Sequence, residues 1–577
     1  MLGALMAFPQ ATVAQLAPPA NGGAPRLDAL LHRLSTPYRV LVVAAHPDDE
    51  DTGLLAQLSR GGGVGVAYLS LSRGEGGQNL IGLELGTDLG LLRTQELLAA
   101  RAIDGGAQFF TRAYDFGFTR DLTETERAWP PDSILKDVVR AVRRFRPHVL
   151  VSVFSGTPRD GHGQHQMAGV MASRAWRAAA DPAAYPELAR EEGLRPWLPF
   201  KLYRSARFDR GAATLALADP GLDPATGRTY AQIAMESRSQ HRSQDFGVLQ
   251  RLAPADSRLA LLARRDSGAP DTGLFAGIPV GRSWVAALAD SLRGVLVPAR
   301  LGDLAPTLAR AVTRARRDGA VDPEEAALLE EALAVAAGVV IDARADRERV
   351  VPGDSVGFEL EVYRSGGTPV EVERAVVITG AGGWTDTVPL TLQPPDRSAA
   401  QPLTTANAVV PVPRSATPSQ PYFLRRPLRG AVYDWSEAAA DARGLPADRP
   451  PFTAEIGLRI DGAPLILRRE VTARYQDQAI GEVRRPVRVV PRLEVTVEPG
   501  TIVWPAEGPD SQAITVTLRR HGVRPVSGLV TLSADGWPSS PPQPFRLSHA
   551  GETLTLRFIV RRPPGVTRAD VTLRASA

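Results

Sequence analysis

The sequence predicts an α/β protein with a mostly parallel sheet and flanking helices, followed by a helical segment and then C-terminal all-β sandwich domains. Three observations carry this reading. Between Arg39 and Ala178, short near-continuous apolar runs alternate with stretches of helical period, the pattern of strands buried on both faces and joined by crossover helices. After Gly338 the composition shifts to short β-branched runs separated by Pro/Gly turns. Clusters of His, Asp, Glu and Arg stand directly after the apolar runs, where open α/β sheets bind ligands.

In chain order, Met1 to Phe8 is a short apolar run, and Thr12-Val13-Ala14 is a small-residue pattern that suits cleavage. Residues 1–25 are therefore expected to be a signal peptide and linker, and the protein to be secreted or periplasmic. Residues 26–279 form the expected Rossmann-like domain. Its strands are Arg39–Ala45, Val64–Leu71, Gln108–Phe110 and Val149–Phe154, and its helices Leu89–Ile103, Ser133–Arg144 and Gln164–Ala178. Lys201–Arg207 and Ala212–Ala216 add strands, and Tyr230–Leu249 reads as polar and helix-like. Residues 280–337 read as a helical segment, in which Glu324 and Glu325 suit a helix N-terminus. Residues 338–490 read as an immunoglobulin-like β-sandwich with an insertion at about 421–451, and residues 491–577 as a second one.

At 577 residues the chain is too long for one core. It contains no cysteine, which excludes disulfides, thiolate metal sites and cysteine nucleophiles. Any metal must therefore be held by His, Asp, Glu or backbone oxygen. The net charge of +4 rests almost entirely on dispersed arginine, since Lys136 and Lys201 are the only lysines. No basic run with interleaved aromatics appears, so no nucleic-acid partner is expected. No later apolar run reaches the roughly 20 residues that span a bilayer.

Three strand-end clusters carry the chemistry. His46-Pro47-Asp48-Asp49-Glu50 follows the first strand, and a His and an Asp three residues apart can reach one cation. Ser72-Arg73-Gly74-Glu75-Gly76-Gly77-Gln78-Asn79 follows the second, and its glycines let backbone approach a ligand. No Gly-Lys-Ser/Thr follows, so it is not a phosphate loop. Thr157 to His165 follows the fourth strand and carries two histidines, His162 and His165. In a parallel sheet these ends share one edge. Imidazole and carboxylate donors with a position left open for water are the usual design of a catalytic zinc, and Fe(II), Mn(II) or Co(II) also bind such donors.

Together, His46-Pro47-Asp48-Asp49-Glu50, Gly74-Glu75-Gly76-Gly77-Gln78-Asn79, the Arg93-x-x-Glu96-x-x-x-Ala100 helix and His162-x-x-His165 resemble the PIG-L (LmbE-like) zinc-dependent N-acetylglucosaminyl deacetylases. The resemblance covers roughly residues 38 to 210, and Tyr230 to Gly247 is similar to an extension in large secreted members. It implies His46, Asp49 and His165 as ligands of Zn2+, or of another divalent metal such as Fe2+. It implies Asp48 as general base and His162 as the group that stabilises the oxyanion or protonates the leaving amine. Arg73, Glu75 and Asn79 are implied as substrate-binding, and the substrate as an N-acetylated sugar or glycoconjugate. The family commonly has His-Pro-Asp-His where this chain has His162-Gly163-Gln164-His165, so the intervening acid is lost. Arg93, Glu96 and His148 are expected to be structural, His32, His521 and His549 to be surface, and His241 is open between function and solvated surface. Two other readings compete: a hydrolase of a different amide on the same fold, and a non-catalytic glycan-binding protein. An intact Asp48 speaks against the second, because binding alone needs no base.

Overall fold

The computed structural model describes residues 16–254, 256–265, 271–319, 321–381, 383–393, 403–500, 502–505, 507–534, 537–538, 540–566 and 571–577. The apolar run Met1–Phe8 and the Thr12–Ala14 pattern lie outside the described residues. The chain forms two units. One holds residues 22–336 and 420–448, and the other the remaining residues.

The first unit opens with α1 (Gly23–Leu34), β1 (Arg39–Ala44), α2 (Thr52–Ala56), β2 (Gly65–Ser70), α3 (Thr87–Asp104) and β3 (Ala107–Phe110). There follow α4 (Leu122–Ala128), α5 (Pro131–Phe145), β4 (Val149–Ser152), α6 (Gly163–Ala178), α7 (Pro186–Glu192), β5 (Lys201–Ser205) and β6 (Leu215–Leu217). A two-residue hairpin of β7 (Leu222–Asp223) and β8 (Arg228–Thr229) leads into α8 (Tyr230–Arg238), and β9 (Ser257–Arg264) closes the sheet. The strand order is β3-β2-β1-β4-β5-β9-β6. Strands β1 to β5 run parallel, and β9 pairs antiparallel with both β5 and β6. The order reverses at β1, which lies between β2 and β4, so the ligand-binding crevice of such a sheet falls between the ends of β1 and β4. Register puts those ends level: Ala44 is opposite Ser70 of β2, and Val43 is opposite Ser152 of β4.

Strands β1, β2 and β4 are buried along almost their whole length, as continuous apolar runs require. Helix α5 shows why the helices cover them: Ile134, Val138, Val139 and Val142 recur at helical spacing and are all fully buried. The strand β9 has no counterpart among the sequence expectations. Its Leu/Ala-rich run does not alternate, and periodicity alone does not separate such a strand from a buried helix segment. The expected helix Tyr230–Leu249 is real only to Arg238 and then becomes a loop with a turn at Arg242–Gln244.

The helical segment comprises α9 (Trp284–Gly294), α10 (Ala305–Asp318) and α11 (Pro323–Ala336), and it belongs to this same unit. Helix α1 packs against α9 and α11, Arg293 pairs with Asp28 at 2.9 Å, and Arg33 with Glu324 at 2.8 Å. Among the described residues no helix is long and apolar enough to cross a membrane.

The second unit is built of β-sheets. A six-stranded sheet and a four-stranded sheet span Val339 to Pro486, and two three-stranded sheets lie between Leu493 and Ser576. The last two share a core of their own, with Ile514, Val516 and Phe558 from one sheet and Val530, Leu532 and Phe545 from the other. The pairing is not antiparallel throughout: Val339–Ala345 runs parallel to Thr472–Asp477. Residues 420–448, expected as an insertion of this region, belong to the first unit.

Candidate metal and hydrolytic site

The turn after β1 is held from a distance. Asp49 Oδ2 accepts from the backbone N–H of Ala45 at 3.2 Å and of His46 at 2.8 Å, and Asp51 caps α2 through Leu54 N at 3.0 Å. Asp48 has φ 101°, a conformation that normally asks for glycine. Its backbone is pinned from both sides. Glu50 Oε2 accepts from Asp48 N at 3.0 Å, and Arg238 donates to the Asp48 carbonyl. Arg207 donates to the carbonyls of Asp49 at 2.6 Å and Glu50 at 3.1 Å. Glu50 is fully buried, and its Oε1 meets His241 Nε2 at 2.7 Å and Arg101 Nη2 at 3.1 Å. Burial alone would raise its pKa, but the His241 and Arg101 charges outweigh burial and hold the carboxyl well below its usual range.

The turn after β4 is closed on itself by one carboxylate and tied to residues 117–119 through Gln164. Asp160 accepts from Ser155 N at 2.9 Å, Gly156 N at 2.7 Å and Thr157 N at 3.1 Å. The Asp160 carbonyl lies 3.1 Å from His165 Nδ1, so that nitrogen carries the proton and Nε2 is left as a bare donor to a cation. Gln164 stands where the family's acid is lost. Its Oε1 is 2.8 Å from His162 Nδ1 and 2.6 Å from Thr119 Oγ1, while its Nε2 donates to the Gly117 carbonyl. A buried amide thus orients His162 in place of a carboxylate, and again leaves Nε2 bare.

These two turns bring three imidazoles together. The ligating nitrogens of His46, His162 and His165 lie within 4.8 Å of one another, the one such group among the described residues. The His162 and His165 rings are 3.7 Å apart between centroids, and Phe154 stacks on His165 at 3.8 Å. Asp49 Oδ1 is 3.3 Å from His165 Nε2, Asp49 Oδ2 is 3.4 Å from His46 Nδ1, and Asp115 Oδ2 is 4.0 Å from His46 Nε2. His165 Nε2 and Asp49 Oδ1 face each other at 3.3 Å, a spacing that suits a shared cation or a proton on the imidazole. The donor chemistry therefore fits a divalent metal of the zinc type. Of the ligands implied by resemblance, the structure brings His46, Asp49 and His165 together and adds His162 at ligand spacing, with one Asp49 oxygen already engaged in its own turn.

The field at the site favours positive charge. Burial would lower the His46 pKa, but Asp49 and Asp115 prevail and push it up to about 9. His162 is pushed down to about 4 by burial and by His165 and His46, so it stands neutral. Burial and the charge of Asp49 push the Asp48 carboxyl up to about 7. A carboxylate poised there can take a proton near neutral pH.

The substrate-binding residues implied for the Gly-rich turn fall differently. Arg73 is completely buried, stacked between Phe110 at 4.1 Å and Phe423 at 3.7 Å, and its guanidinium donates to Thr94 Oγ1 at 2.9 Å and the Pro446 carbonyl at 3.0 Å. It has no exposed surface to offer a substrate; its size and charge hold the turn against neighbouring chain. Glu75 is also buried, accepting from Asp115 N at 3.0 Å and Tyr433 Oη at 2.6 Å, and burial pushes its carboxyl up to about 7. Asn79 ties its own loop, bonding Glu84 Oε2 at 3.0 Å and the N–H groups of Ile81 and Gly82 at 3.1 Å. Arg93 and Glu96 are structural as expected: Arg93 donates to the Gly74 carbonyl at 2.7 Å, and Glu96 accepts from Ser243 N at 2.7 Å. His148 is buried, with Nδ1 accepting from Arg39 N at 3.1 Å. His521, expected at the surface, is buried against Glu494 at 2.7 Å.

Asp115, Arg207, Arg238 and Gln164 were not singled out from the sequence as parts of this site. Asp115 was findable by the rule that found the others, since it follows β3 on the same sheet edge. His241 is resolved as a fully buried partner of Glu50.

The sheet with histidines converging at its switch point is an α/β domain with a candidate metal site, and comparison with known proteins names the family. The family described as PIG-L: GlcNAc-PI de-N-acetylase matches residues 41–176. A 1D-myo-inositol 2-acetamido-2-deoxy-alpha-D-glucopyranoside deacetylase of Geodermatophilus obscurus is 34% identical over 167 residues, 26% of this chain and 56% of that protein. One of Streptomyces avermitilis is 33% identical over 204 residues, 32% of this chain and 67% of that protein. A mycothiol S-conjugate amidase of Streptomyces coelicolor is 29% identical over 207 residues, 32% of this chain and 67% of that protein. The chain thus spans between about half and two thirds of the length of the relatives it matches. It belongs to the PIG-L family.

Proposed function

We propose that this chain is a metal-dependent hydrolase that removes an N-acetyl group from an amino-sugar-containing substrate. The observation that carries the reading is the convergence of His46, His162 and His165, with Asp48 and Asp49 on the adjoining turn. Zn2+ or a similar divalent ion held by His46, His165 and Asp49 or His162 would supply Lewis acidity toward water and the amide carbonyl. Asp48 takes a proton from the attacking water as its oxygen bonds to the carbonyl carbon. His162, with Nδ1 turned to Gln164 and Nε2 bare, would serve as a nitrogen donor to the divalent ion rather than as a hydrogen-bond donor to the oxyanion. The C–N bond then breaks, and the proton held by Asp48 passes to the departing amine. Acetate and a free amino sugar result. Relatives named as deacetylases of a GlcNAc-inositol support the substrate class.

A second reading, hydrolysis of a different amide, draws support from the relative named as an S-conjugate amidase. Export to the periplasm or medium is supported by the apolar run Met1–Phe8, and fractionation tests it. Acetate release from N-acetylglucosamine oligomers and GlcNAc-inositol by zinc-loaded protein separates the two chemistries. Release is expected to fall by about 10²–10⁴-fold in Asp48→Asn, the usual range for a lost general base, with zinc still bound. Bound zinc with no acetate release from either substrate would move the reading to other amides.

A further inference from the structure

Residues 420–448 are flanked on both sides by sequence of the β-rich unit, yet they fold with the catalytic sheet. Their aromatic residues explain why. Tyr422, Phe423, Tyr433 and Trp435 are all buried in one cluster that takes in Leu91 and Tyr114. The segment also adds a short antiparallel bridge. Val432 pairs with Ala113, Tyr433 N donates to the Arg112 carbonyl at 2.8 Å, and Tyr114 N donates to the Ala431 carbonyl at 3.0 Å. That bridge ends one residue before Asp115.

From there the polar contacts lead into the site. Tyr433 Oη donates to Glu75 Oε1 at 2.6 Å. Glu75 Oε2 accepts from Asp115 N at 3.0 Å and Arg73 N at 3.2 Å, so one carboxyl joins the turn after β2 to the turn after β3. Asp115 places Oδ2 at 4.0 Å from His46 Nε2, and its Oδ1 accepts from Gly117 N at 3.0 Å. The Gly117 carbonyl accepts from the amide of Gln164, whose oxygen orients His162. The segment therefore reaches His46 through two intervening residues, Glu75 and Asp115, and belongs to the same unit as the site.

We propose that Tyr433 is a positioning residue of the hydrolytic site, and that the segment 420–448 completes that site by fixing, through Glu75, the Asp115 turn against His46 and Gln164. This rests on the hydrolase reading above and extends it to a part of the chain outside the family match at 41–176. The physical reason is pre-organisation: partners behind ligating residues fix their orientation, and their loss commonly lowers metal affinity or activity by about 10–100-fold.

The test is Tyr433→Phe, which removes one hydroxyl and keeps the ring. Acetate-release kinetics are measured beside hydrogen–deuterium exchange of the peptides spanning 73–79 and 112–118. Expected are a fall in kcat of about tenfold with KM within about twofold, and faster exchange in both peptides only. Unchanged kcat, or unchanged exchange, overturns the proposal. If wild-type protein releases no acetate from any N-acetyl sugar, the deacetylase reading fails, and exchange alone decides whether Tyr433 holds the two turns. Should Tyr433→Phe not fold, Glu75→Gln serves. It keeps an acceptor for Tyr433 but removes the one for Asp115 N, and it is expected to reproduce the kcat loss; normal kcat in that variant overturns the proposal equally.

Discussion

The two turns that supply the histidines are built on opposite plans. The turn after β4 is closed mostly locally: Asp160 collects three backbone N–H groups from the five residues before it, and Gln164, itself held by Thr119 and Gly117, orients His162 from two positions away. The turn after β1 is held by groups far along the chain. Arg101, Arg207, Arg238 and His241 all reach it, and the strained backbone of Asp48 is kept in place by two of its partners, Glu50 and Arg238. A turn that carries a strained residue such as Asp48 draws on partners beyond the local chain, because nearby residues are already engaged in the turn itself. A turn that only presents imidazoles from a helix start can be closed by one capping carboxylate.

The comparison breaks first at Glu50. Replacing it with Ala leaves Arg101 and His241 buried beside no carboxylate from this turn, and about 3–5 kcal/mol of stability is expected to be lost, as for other broken buried pairs. Urea unfolding measures this, and a loss below about 1 kcal/mol would show that the long-range clamp contributes little. In the double variant with His241→Ala the two losses should fall short of additive. Asp160→Ala tests the local plan. About 1–2 kcal/mol is expected, the range for a lost cap, with the β1 turn unaffected in hydrogen exchange. A loss as large as that of Glu50→Ala would erase the distinction.

A pH-dependent effect concerns Glu75, which links turns as Glu50 does but without a cationic partner on its carboxylate. Its folded-state pKa of about 7 lies above the ordinary value of 4.5, so the folded state holds this proton more tightly. The resulting stability is fully present below pH 4.5 and is lost as pH rises through 7. Glu75→Gln should flatten the stability profile of the protein across that window, as read by thermal unfolding at a series of pH values. A profile unchanged by the substitution would mean that Glu75 is ionised throughout.

The difference between the turns also marks how much could be read in advance. The parallel strands, their helices and the clustering of His46, Asp49, His162 and His165 at one sheet edge followed from apolar runs and the residues after them. Arg73 and Glu75 were expected to face substrate because the family resemblance implied it. Their burial depends on Phe423 and Tyr433, more than three hundred residues away, and no local pattern carries that. The same holds for His241, which lies in a polar stretch and yet is fully buried against Glu50.

By itself the sequence determined the class of sheet, the position of the site on it and the kind of donors present, because side-chain period and strand-end residues are local properties of the chain. Only the tertiary structure decided which polar groups face the site and which hold it from behind, that Gln164 orients His162, and that residues 420–448 fold with the N-terminal sheet. Burial and long-range hydrogen bonding set these outcomes, and both depend on which distant residues the fold brings together.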